Sequence, residues 1–226
     1  CMFYDESLLR FVPGSCVVRH LTHGCGVGEQ LGGAACLAAF DVLVAGEATG
    51  SRMVVATAHV NPAPSAKEAL EAGIEPTHGN EFGTDVAMAG QLLGIMEEVS
   101  RWCGGVDVQM LLGDLNGATE LGATTLSQSG LTSAYAIAGE AAMEDWRGSL
   151  VTSHNDIFHW GGELDMVLCK GPAAQVRRVL QIPRHPRLLP APRSREHADV
   201  SLPMAGWPSD HMSLVVDLSL CERCEA

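Results

Sequence analysis

Four groups of polar residues stand at the ends of apolar runs that have the composition of buried strands. They are His59 after MVVATA, Asp114 and Asn116 after VQMLL, Asp165 inside ELDMVL, and Asp210 with His211 before MSLVV. A single histidine at a strand end is more often structural than functional, and GDLN alone can be an Asx turn. As a set, these residues supply oxygens for a hard cation and imidazoles for proton transfer or phosphate binding. The combination predicts metal-assisted phosphoester chemistry.

The elements that must position these residues are short strands and helices. Residues 35–45 (ACLAAFDVLVA) and 53–60 (MVVATAHV) are predicted to be neighbouring buried strands of a hairpin, joined by a turn at 46–51. Residues 84–102 carry apolar side chains at helical spacing and predict an amphipathic helix. The apolar positions of this helix are Val86, Ala89, Leu92, Leu93, Ile95, Met96 and Val99.

Further strands follow the helix. Residues 106–112 are expected to form a strand that runs into a turn at 113–117, and the remaining predicted strands are 164–169, 176–182 and 212–220. The connection at 183–208 is longer than a compact domain normally contains without a role, so we expect it to line a substrate site. This mixture predicts an α/β domain.

Composition narrows the class of protein. A chain of 226 residues with 46% hydrophobic content is long enough for one core and predicts a single domain, and no apolar run approaches the length of a membrane span. The net charge of −13 argues against a long basic groove for nucleic acid. Local positive charge is available from six arginines, unless they belong only to a solvated loop. These are Arg177, Arg178, Arg184, Arg187, Arg193 and Arg195.

The eight cysteines are dispersed, and only Cys221 and Cys224 have metal-type spacing. One CxxC without a second pair is a weak zinc signal, so we interpret it as part of a reduced C-terminal tail. No signal peptide opens the chain, which favours a cytoplasmic protein. The first residue is Cys1 and not Met, so an N-terminal targeting segment stays an open alternative.

In order and spacing, the polar groups resemble the motifs of the endonuclease/exonuclease/phosphatase superfamily. VVATAHV resembles its strand that ends in a site histidine, LLGDLNG its Gly-Asp-Phe/Leu-Asn turn, GELDMVL its Ile/Leu-Asp-Tyr strand, and PSDHMSLVVDLSL its terminal Ser-Asp-His motif. The resemblance spans essentially the whole chain. It implies a four-layered α/β sandwich in which two packed mixed β-sheets are flanked by helices.

Smaller details resemble the deadenylase and nocturnin branch of that superfamily. They are the Ser-Leu after the Met that follows His211, Pro64 five residues after His59, Gln91 in the helix, and CMFY at the start, which is similar to a strand of the branch. The resemblance implies an Mg²⁺-dependent hydrolase, with Mn²⁺ as a possible substitute. Its substrates would be the 3' end of RNA, above all poly(A), or a nucleotide.

The resemblance also implies roles for individual residues. Asp114 and Asn116 would position the attacking water and the scissile phosphate, with Asp114 acting as or near the general base. Asp210 would help to hold magnesium, His59 would contact the phosphate from the other side, and His211 would bind it while Asp165 orients the imidazole. Pro64, Asn155 and Trp160 would contact substrate, and Trp160 would stack on a base unless it belongs to the core.

Two departures from the family pattern bear on function. The family's principal magnesium ligand is a Glu in a Gln-Glu motif that precedes the region similar to this chain, and Glu29-Gln30 has the reverse order in a later loop. We therefore expect residues 1–220 to form a domain that lacks its N-terminal portion, with 221–226 as a tail. Residues 60–63 stand where the branch usually has His-Trp-Asp, so the identity of the substrate stays an open question.

Three functions are compatible with these residues. The first is a 3'-5' exoribonuclease that removes poly(A), and the second is a nocturnin-like phosphatase acting on the 2'-phosphate of a phosphorylated nicotinamide dinucleotide. The third is an inactive scaffold within an RNA-decay complex. The set of polar groups argues against the scaffold, whereas the missing Glu argues for it.

Overall fold

A computed structural model describes residues 2–22, 31–61, 84, 86–116, 118, 120–138, 153–155, 160–162, 164–171, 174–179, 214 and 216–220. Along these residues, four strands precede the first helix, strands and helices alternate in the middle, and five strands follow the last helix. The helices are α1 (Val86–Trp102), α2 (Glu120–Gln128) and α3 (Ala134–Ala138). The strands are β1 (Leu9–Phe11), β2 (Val17–Thr22), β3 (Leu31–Val44), β4 (Glu47–Val60), β5 (Val108–Asp114), β6 (Thr132–Ser133), β7 (Ser153–Asn155), β8 (Trp160–Gly162), β9 (Asp165–Lys170), β10 (Ala174–Val179) and β11 (Val216–Leu220).

One seven-stranded sheet organises the described residues. Its strand order is β1-β3-β4-β5-β9-β6, and β2 also pairs with β3. The pairing of β4 with β5 is parallel, whereas the other neighbours in this sheet run antiparallel. Strands β10 and β11 form a separate antiparallel pair, as do β7 and β8. The sheet is therefore mixed, with its one parallel pair at the centre.

The predicted hairpin is confirmed as β3 and β4, but its turn is shorter than expected. Val44 pairs directly with Glu47, so only Ala45 and Gly46 connect the strands. Both have positive φ, 52° and 84°, which is the conformation of a type I′ turn and matches the twist of the strands. Because Gly46 adopts this conformation without steric cost, the second strand resumes at residue 47 and not after residue 51.

Helix α1 covers one face of the sheet. Its buried positions include Met88, Leu92 and Met96, which pack with Val54 and Leu111 of the sheet in one apolar cluster. The predicted helix is confirmed, although it begins at Val86. Val86 itself is exposed, and Met88 is fully buried, because the first turn presents residue 88 to the sheet.

The opposite face of the sheet packs against the second, two-stranded sheet. Phe40, Met110 and Val167 form a second cluster there, against which Val176 and Leu218 of β10 and β11 pack. Helix α1, the large sheet and the β10–β11 pair are thus three successive layers. The prediction of an α/β sandwich with packed sheets is confirmed, while the fourth predicted layer is not among the residues that the structure describes.

The later strands are confirmed with shifted ends. The strands predicted at 106–112, 164–169 and 176–182 are β5, β9 and β10, and β11 covers the last part of the segment predicted at 212–220. One detail was wrong, because Met2, Phe3 and Tyr4 are not in a strand and the first strand begins at Leu9. The connection at 183–208 and the tail at 221–226 lie outside the described residues.

Within the residues that the structure describes, no helix has the length and apolar character needed to cross a membrane.

An ion pair with Arg52 ties the helix to the sheet at one end of the hairpin. The Arg52 guanidinium donates from Nε to Asp41 Oδ1 at 2.8 Å and from Nη1 to the carbonyl of Cys103, just beyond the end of α1. The Arg52 backbone N–H donates to Asp107 Oδ2 at 2.9 Å. Because the side chains of Arg52 and Asp41 are only 30% and 21% exposed, these bonds are partly shielded from water.

We expect Arg52→Met to lower the free energy of unfolding by about 2–3 kcal/mol. The change leaves the carbonyl of Cys103 without its charged donor and leaves the part-buried Asp41 carboxylate with only its 3.4 Å contact to Arg10. Urea denaturation followed by circular dichroism measures this loss. Arg178→Met is the control, since Arg178 pairs with Asp217 at the surface, where both side chains are more than half exposed. Its expected cost is under about 1 kcal/mol. Equal losses for the two variants would contradict this account.

Candidate active site

Three of the predicted site residues lie side by side on three adjacent strands. His59 of β4 is the register partner of Asp114 of β5, and Asp114 is the partner of Asp165 of β9. The Leu115 N–H donates to the Leu164 carbonyl at 2.9 Å, so these two residues form a hydrogen-bonded pair. Hydrogen-bonded and non-hydrogen-bonded pairs alternate along antiparallel strands, so Asp114 and Asp165 form a non-hydrogen-bonded pair. Such non-hydrogen-bonded pairs have Cα atoms about 4.5 Å apart and bring their side chains close.

The three side chains share one face of the sheet. Ala58 and Val60, on either side of His59, belong to the cluster under the helices. Since alternate residues of a strand point to opposite faces, His59 points to the side of β10 and β11. Asp114 shares that side with Met110, and Asp165 with Val167, both members of the second cluster. We call His59, Asp114 and Asp165 the polar row.

His59 and Asp114 differ sharply in exposure. The Nε2 atom of His59 lies 3.6 Å from Asp114 Oδ2, which is too long for a hydrogen bond but close enough for charge attraction when the imidazole is protonated. The His59 side chain is 67% exposed, whereas that of Asp114 is 15% exposed. The histidine is therefore open to a ligand from solvent, and the carboxylate is fixed beneath it.

Asn116 is held beside the polar row by two hydrogen bonds. Its backbone N–H donates to Asp114 Oδ1 at 2.8 Å, and its Nδ2 donates to the carbonyl of Val60 at 2.6 Å. A carbonyl can only accept, so the side-chain amide is fixed with its nitrogen towards Val60. The positive φ of 50° at Asn116 is tolerated because Asn favours this region and the Asx turn closes it.

Two glycines allow the backbones around His59 to approach closely. A Cβ at Gly33 of β3 would overlap the carbonyl oxygen of His59, and a Cβ at Gly113 of β5 would overlap that of Ala58. Both glycines also have positive φ, 132° and 129°. The end of β4 is thus fitted between two strands that must lack side chains at these points. The Asn61 N–H extends the pairing by donating to Gly32 at 2.7 Å.

Gly33 was not identified from the sequence as part of the site, and Gly113 was identified only as part of a turn. A glycine within an apolar strand pattern suggests that another backbone approaches closely at that point. Gly33 and Gly113 both stand in such a pattern. Thr84, which is fully buried, supports the turn from behind because its hydroxyl donates to the carbonyl of Leu115 at 3.0 Å.

Asp114 and Asp165 are the described side chains of the polar row that could contribute to a metal site. Asp114 and Asp165 place two carboxylates directly opposite each other, an arrangement that nearby positive charge would stabilise because like charges across a strand pair repel. Carboxylate oxygens suit a hard divalent cation. However, no group of three or more metal-binding side chains occurs among the described residues. The carboxylates therefore fit a cation only if other parts of the chain or the substrate add ligands.

Several predicted site residues fall elsewhere. Pro64, Asp210 and His211 lie outside the described residues, so their roles stay predictions. Asn155 and Trp160 are register partners in the β7–β8 pair, and only their backbones are described.

Two arginines of the predicted basic cluster are described, and both contact β11. Arg177 donates from Nε to Ser219 Oγ at 2.8 Å, and Arg178 donates from Nε to Asp217 Oδ2 at 2.8 Å. The other four arginines of the cluster lie outside the described residues.

Gly113→Ala is expected to lower the free energy of unfolding by at least about 2 kcal/mol, because the new Cβ would displace β4 at Ala58 and the backbone would be strained. Chemical denaturation measures the loss. Gly94→Ala is the matched control, since Gly94 is exposed in α1 and a methyl group there would meet no described atom within 4 Å. It should stabilise the protein by up to about 1 kcal/mol. A Gly113→Ala protein as stable as the original would show that the strands can separate freely.

No family model matches the sequence, and no curated protein does either. Solved structures do match. The human nocturnin catalytic domain, with a bound sulfate anion, superposes with a TM-score of 0.59 at 18% identity, covering 96% of this chain and 62% of that one. The chain therefore spans less than two thirds of the nocturnin catalytic domain.

Two further structures have the same architecture. ANGEL2, a 2',3'-cyclic phosphatase in complex with adenosine-2',3'-vanadate, has a TM-score of 0.59 at 9% identity, covering 96% of this chain and 69% of that one. A mannosyl-6-phosphatase from Bacteroides thetaiotaomicron has a TM-score of 0.54 at 15% identity, with coverage of 96% and 69%. Together with the mixed sheet and its covering layers, these similarities show that the chain has the endonuclease/exonuclease/phosphatase fold.

Proposed function

We propose that the protein is a phosphoesterase that hydrolyses a phosphate ester of a nucleotide or of RNA. The observation that carries this proposal is the polar row, with Asn116 fixed beside it at the ends of the central strands. A carboxylate in hydrogen-bonding reach of solvent, an exposed imidazole and an oriented amide are the groups that activate water and bind a phosphate. The shared fold of three phosphatase or nocturnin structures supports the same chemistry.

In this proposal Asp114 accepts a proton from the attacking water. Its Oδ1 atom already accepts the Asn116 N–H, which fixes the orientation of the carboxylate. Oδ2 faces His59 and is the oxygen placed to take the proton. His59 is largely exposed and donates from its ring to a phosphate oxygen. Because Nε2 and Oδ2 are 3.6 Å apart, the water and the phosphate meet on the solvent side of the two side chains.

Asn116 and Asp165 complete the arrangement. One N–H of the Asn116 amide donates to the Val60 carbonyl, which fixes the orientation of the amide. In the proposal its oxygen accepts a hydrogen bond from the attacking water, and its second N–H donates to the phosphate. Asp165 lies on the other side of Asp114 and is proposed to orient His211, as the family resemblance implies. Trp160 and Asn155 are proposed to contact the base or sugar of the substrate, and Pro64 to line the same site.

Mg²⁺ is proposed as the cofactor, with Asp210 as a ligand. When bound, such a cation would neutralise developing negative charge on the phosphate. The opposed carboxylates of Asp114 and Asp165 give a reason for positive charge at this place.

The leading substrate is the 3' end of RNA, in particular poly(A). The similarity in fold to ANGEL2 bound to adenosine-2',3'-vanadate supports a ribonucleotide substrate. The alternative is a nocturnin-like phosphatase of a 2'-phosphorylated nicotinamide dinucleotide. It is supported by the similarity to nocturnin, which binds a tetrahedral oxyanion. An inactive scaffold in an RNA-decay complex is the third possibility.

The first test incubates the protein with Mg²⁺ and two substrates, a 5'-labelled oligoadenylate and the 2'-phosphorylated dinucleotide. We expect stepwise shortening of the RNA. Asp114→Asn should lower the rate at least about 100-fold, because the amide cannot accept the proton of water. Asp5→Asn is the matched control, since the Asp5 carboxylate contacts Ser7 and lies outside the polar row.

The outcomes of this test separate the three functions. Release of phosphate from the dinucleotide without shortening of the RNA would identify the nocturnin-like activity. Hydrolysis of neither substrate would favour the scaffold, and an equal loss in the Asp5→Asn protein would show that Asp114 has no specific role.

A second prediction concerns Asp165. If this carboxylate orients an imidazole, Asp165→Asn should lower kcat by about 100-fold or more and change KM less than threefold, because the ground-state complex needs no fixed tautomer. Steady-state kinetics on the preferred substrate measures both constants. An unchanged kcat, or a rise in KM with kcat preserved, would reject an orienting role.

A further inference from the structure

The polar row continues beyond β4 to the edge of the sheet. Ala34 of β3 is the register partner of His59, and His20 of β2 is the register partner of Ala34. His20, Ala34, His59, Asp114 and Asp165 therefore stand at one level across five neighbouring strands. Because neighbouring strands are just under 5 Å apart, His20 lies about 10 Å from His59 along this line.

His20 points to the same face as His59. Its neighbour Leu21 is fully buried in the cluster under α1, and its other neighbour Arg19 lies 3.9 Å from Glu98 of α1. Both neighbours thus face the helix, and His20 faces the opposite side. Ala34 stands between the two histidines on that side and has only a methyl group. Because the Ala34 side chain is small, it does not separate the two imidazoles on that face of the sheet.

The contacts of the described residues give His20 no structural role. The residue is exposed, and its side chain makes no hydrogen bond or ion pair with any residue that the structure describes. A polar side chain that is neither buried nor partnered contributes little to stability. Its place in line with the site is therefore the feature that needs an explanation.

The end of β2 is held in position by α1. Gln91 accepts the Thr22 N–H at its Oε1 atom, at 3.0 Å, and donates from Nε2 to the Thr22 carbonyl at 2.7 Å. These two bonds replace the pairing that an edge strand lacks on its open side. His20 is two residues from this attachment, so its backbone is fixed relative to the site.

The charges of the polar row, together with His20, indicate what His20 would bind. The protein has a net charge of −13, and Asp114 and Asp165 add negative charge to the site. His20 and His59 are the two members of the row that can carry positive charge. An anionic substrate longer than one phosphate needs a second positive contact, and the next one in line is His20.

We propose that His20 is a substrate-contacting residue that binds a second phosphate group of the nucleotide substrate, on the β2 side of the scissile phosphate. The inference rests on the proposed phosphoesterase function and adds to it that the preferred substrate carries at least two phosphate groups. A contact of this kind contributes affinity for that substrate and none for a ligand with a single phosphate.

The test measures binding by calorimetry with two ligands that the protein does not turn over quickly. One is adenosine monophosphate, and the other is a 5'-phosphorylated diadenylate with a phosphorothioate linkage, which resists hydrolysis and keeps negative charge on both phosphate groups. His20→Ala should raise the Kd of the diadenylate about tenfold, the loss of one charge-assisted hydrogen bond. The Kd of adenosine monophosphate should change less than twofold.

Arg19→Ala is the matched control, since Arg19 neighbours His20 but faces α1, and it should change neither Kd. Circular dichroism verifies that each variant is folded. Equal losses for both ligands, or no loss for the diadenylate, would overturn the role of His20 while leaving the phosphoesterase proposal intact. A protein that binds neither ligand would overturn the nucleotide phosphoesterase proposal and this inference with it.

Discussion

The close fit of the end of β4 between two glycines is the constraint on which the site depends. Gly33 on one side and Gly113 on the other leave no room for a Cβ against the carbonyls of His59 and Ala58. With the backbones this close, the Asn116 side chain reaches the carbonyl of Val60 and closes the turn after β5. The positions of the imidazole, the carboxylate and the amide depend on these two close backbone approaches.

The two ends of the central strands carry different kinds of polar side chain. At one end, Arg52 joins the hairpin to the end of α1 through Asp41 and Cys103, and these bonds are internal to the fold. At the other end, His59 is largely exposed and two carboxylates face each other. Between these two ends, apolar clusters cover both faces of the sheet. The Arg52 ion pair and the polar row therefore lie at opposite ends of the same strands.

The elements that the sequence predicted best are those with a local pattern. The β3–β4 hairpin and helix α1 have strong periodicity, whereas β1, β6, β7 and β8 have only two or three residues and were not predicted. Strand β2 has six residues but is mostly exposed, so it has no alternating apolar pattern and was not predicted either. The turn at Ala45 and Gly46 was placed too late because a permissive glycine also suits a longer loop. Of the site, the motifs identified His59, Asp114, Asn116 and Asp165, and the structure brings them together. That Asp165 lies opposite Asp114 could not be predicted, because register between distant strands is set by packing and not by local sequence.

The parallel pairing of β4 with β5 has a kinetic consequence for the protein. Parallel neighbours require a crossover, so the Val60–Asn116 bond joins residues 56 positions apart and encloses α1 within the loop. Contacts of such separation form only after the loss of chain entropy that closes the loop. The β3–β4 hairpin can form early from local contacts, but the row of chemical groups is assembled only when the crossover docks. The geometry of the polar row is thus a late event in folding, and a chain that stops at a partly folded state carries the motifs without bringing their side chains together.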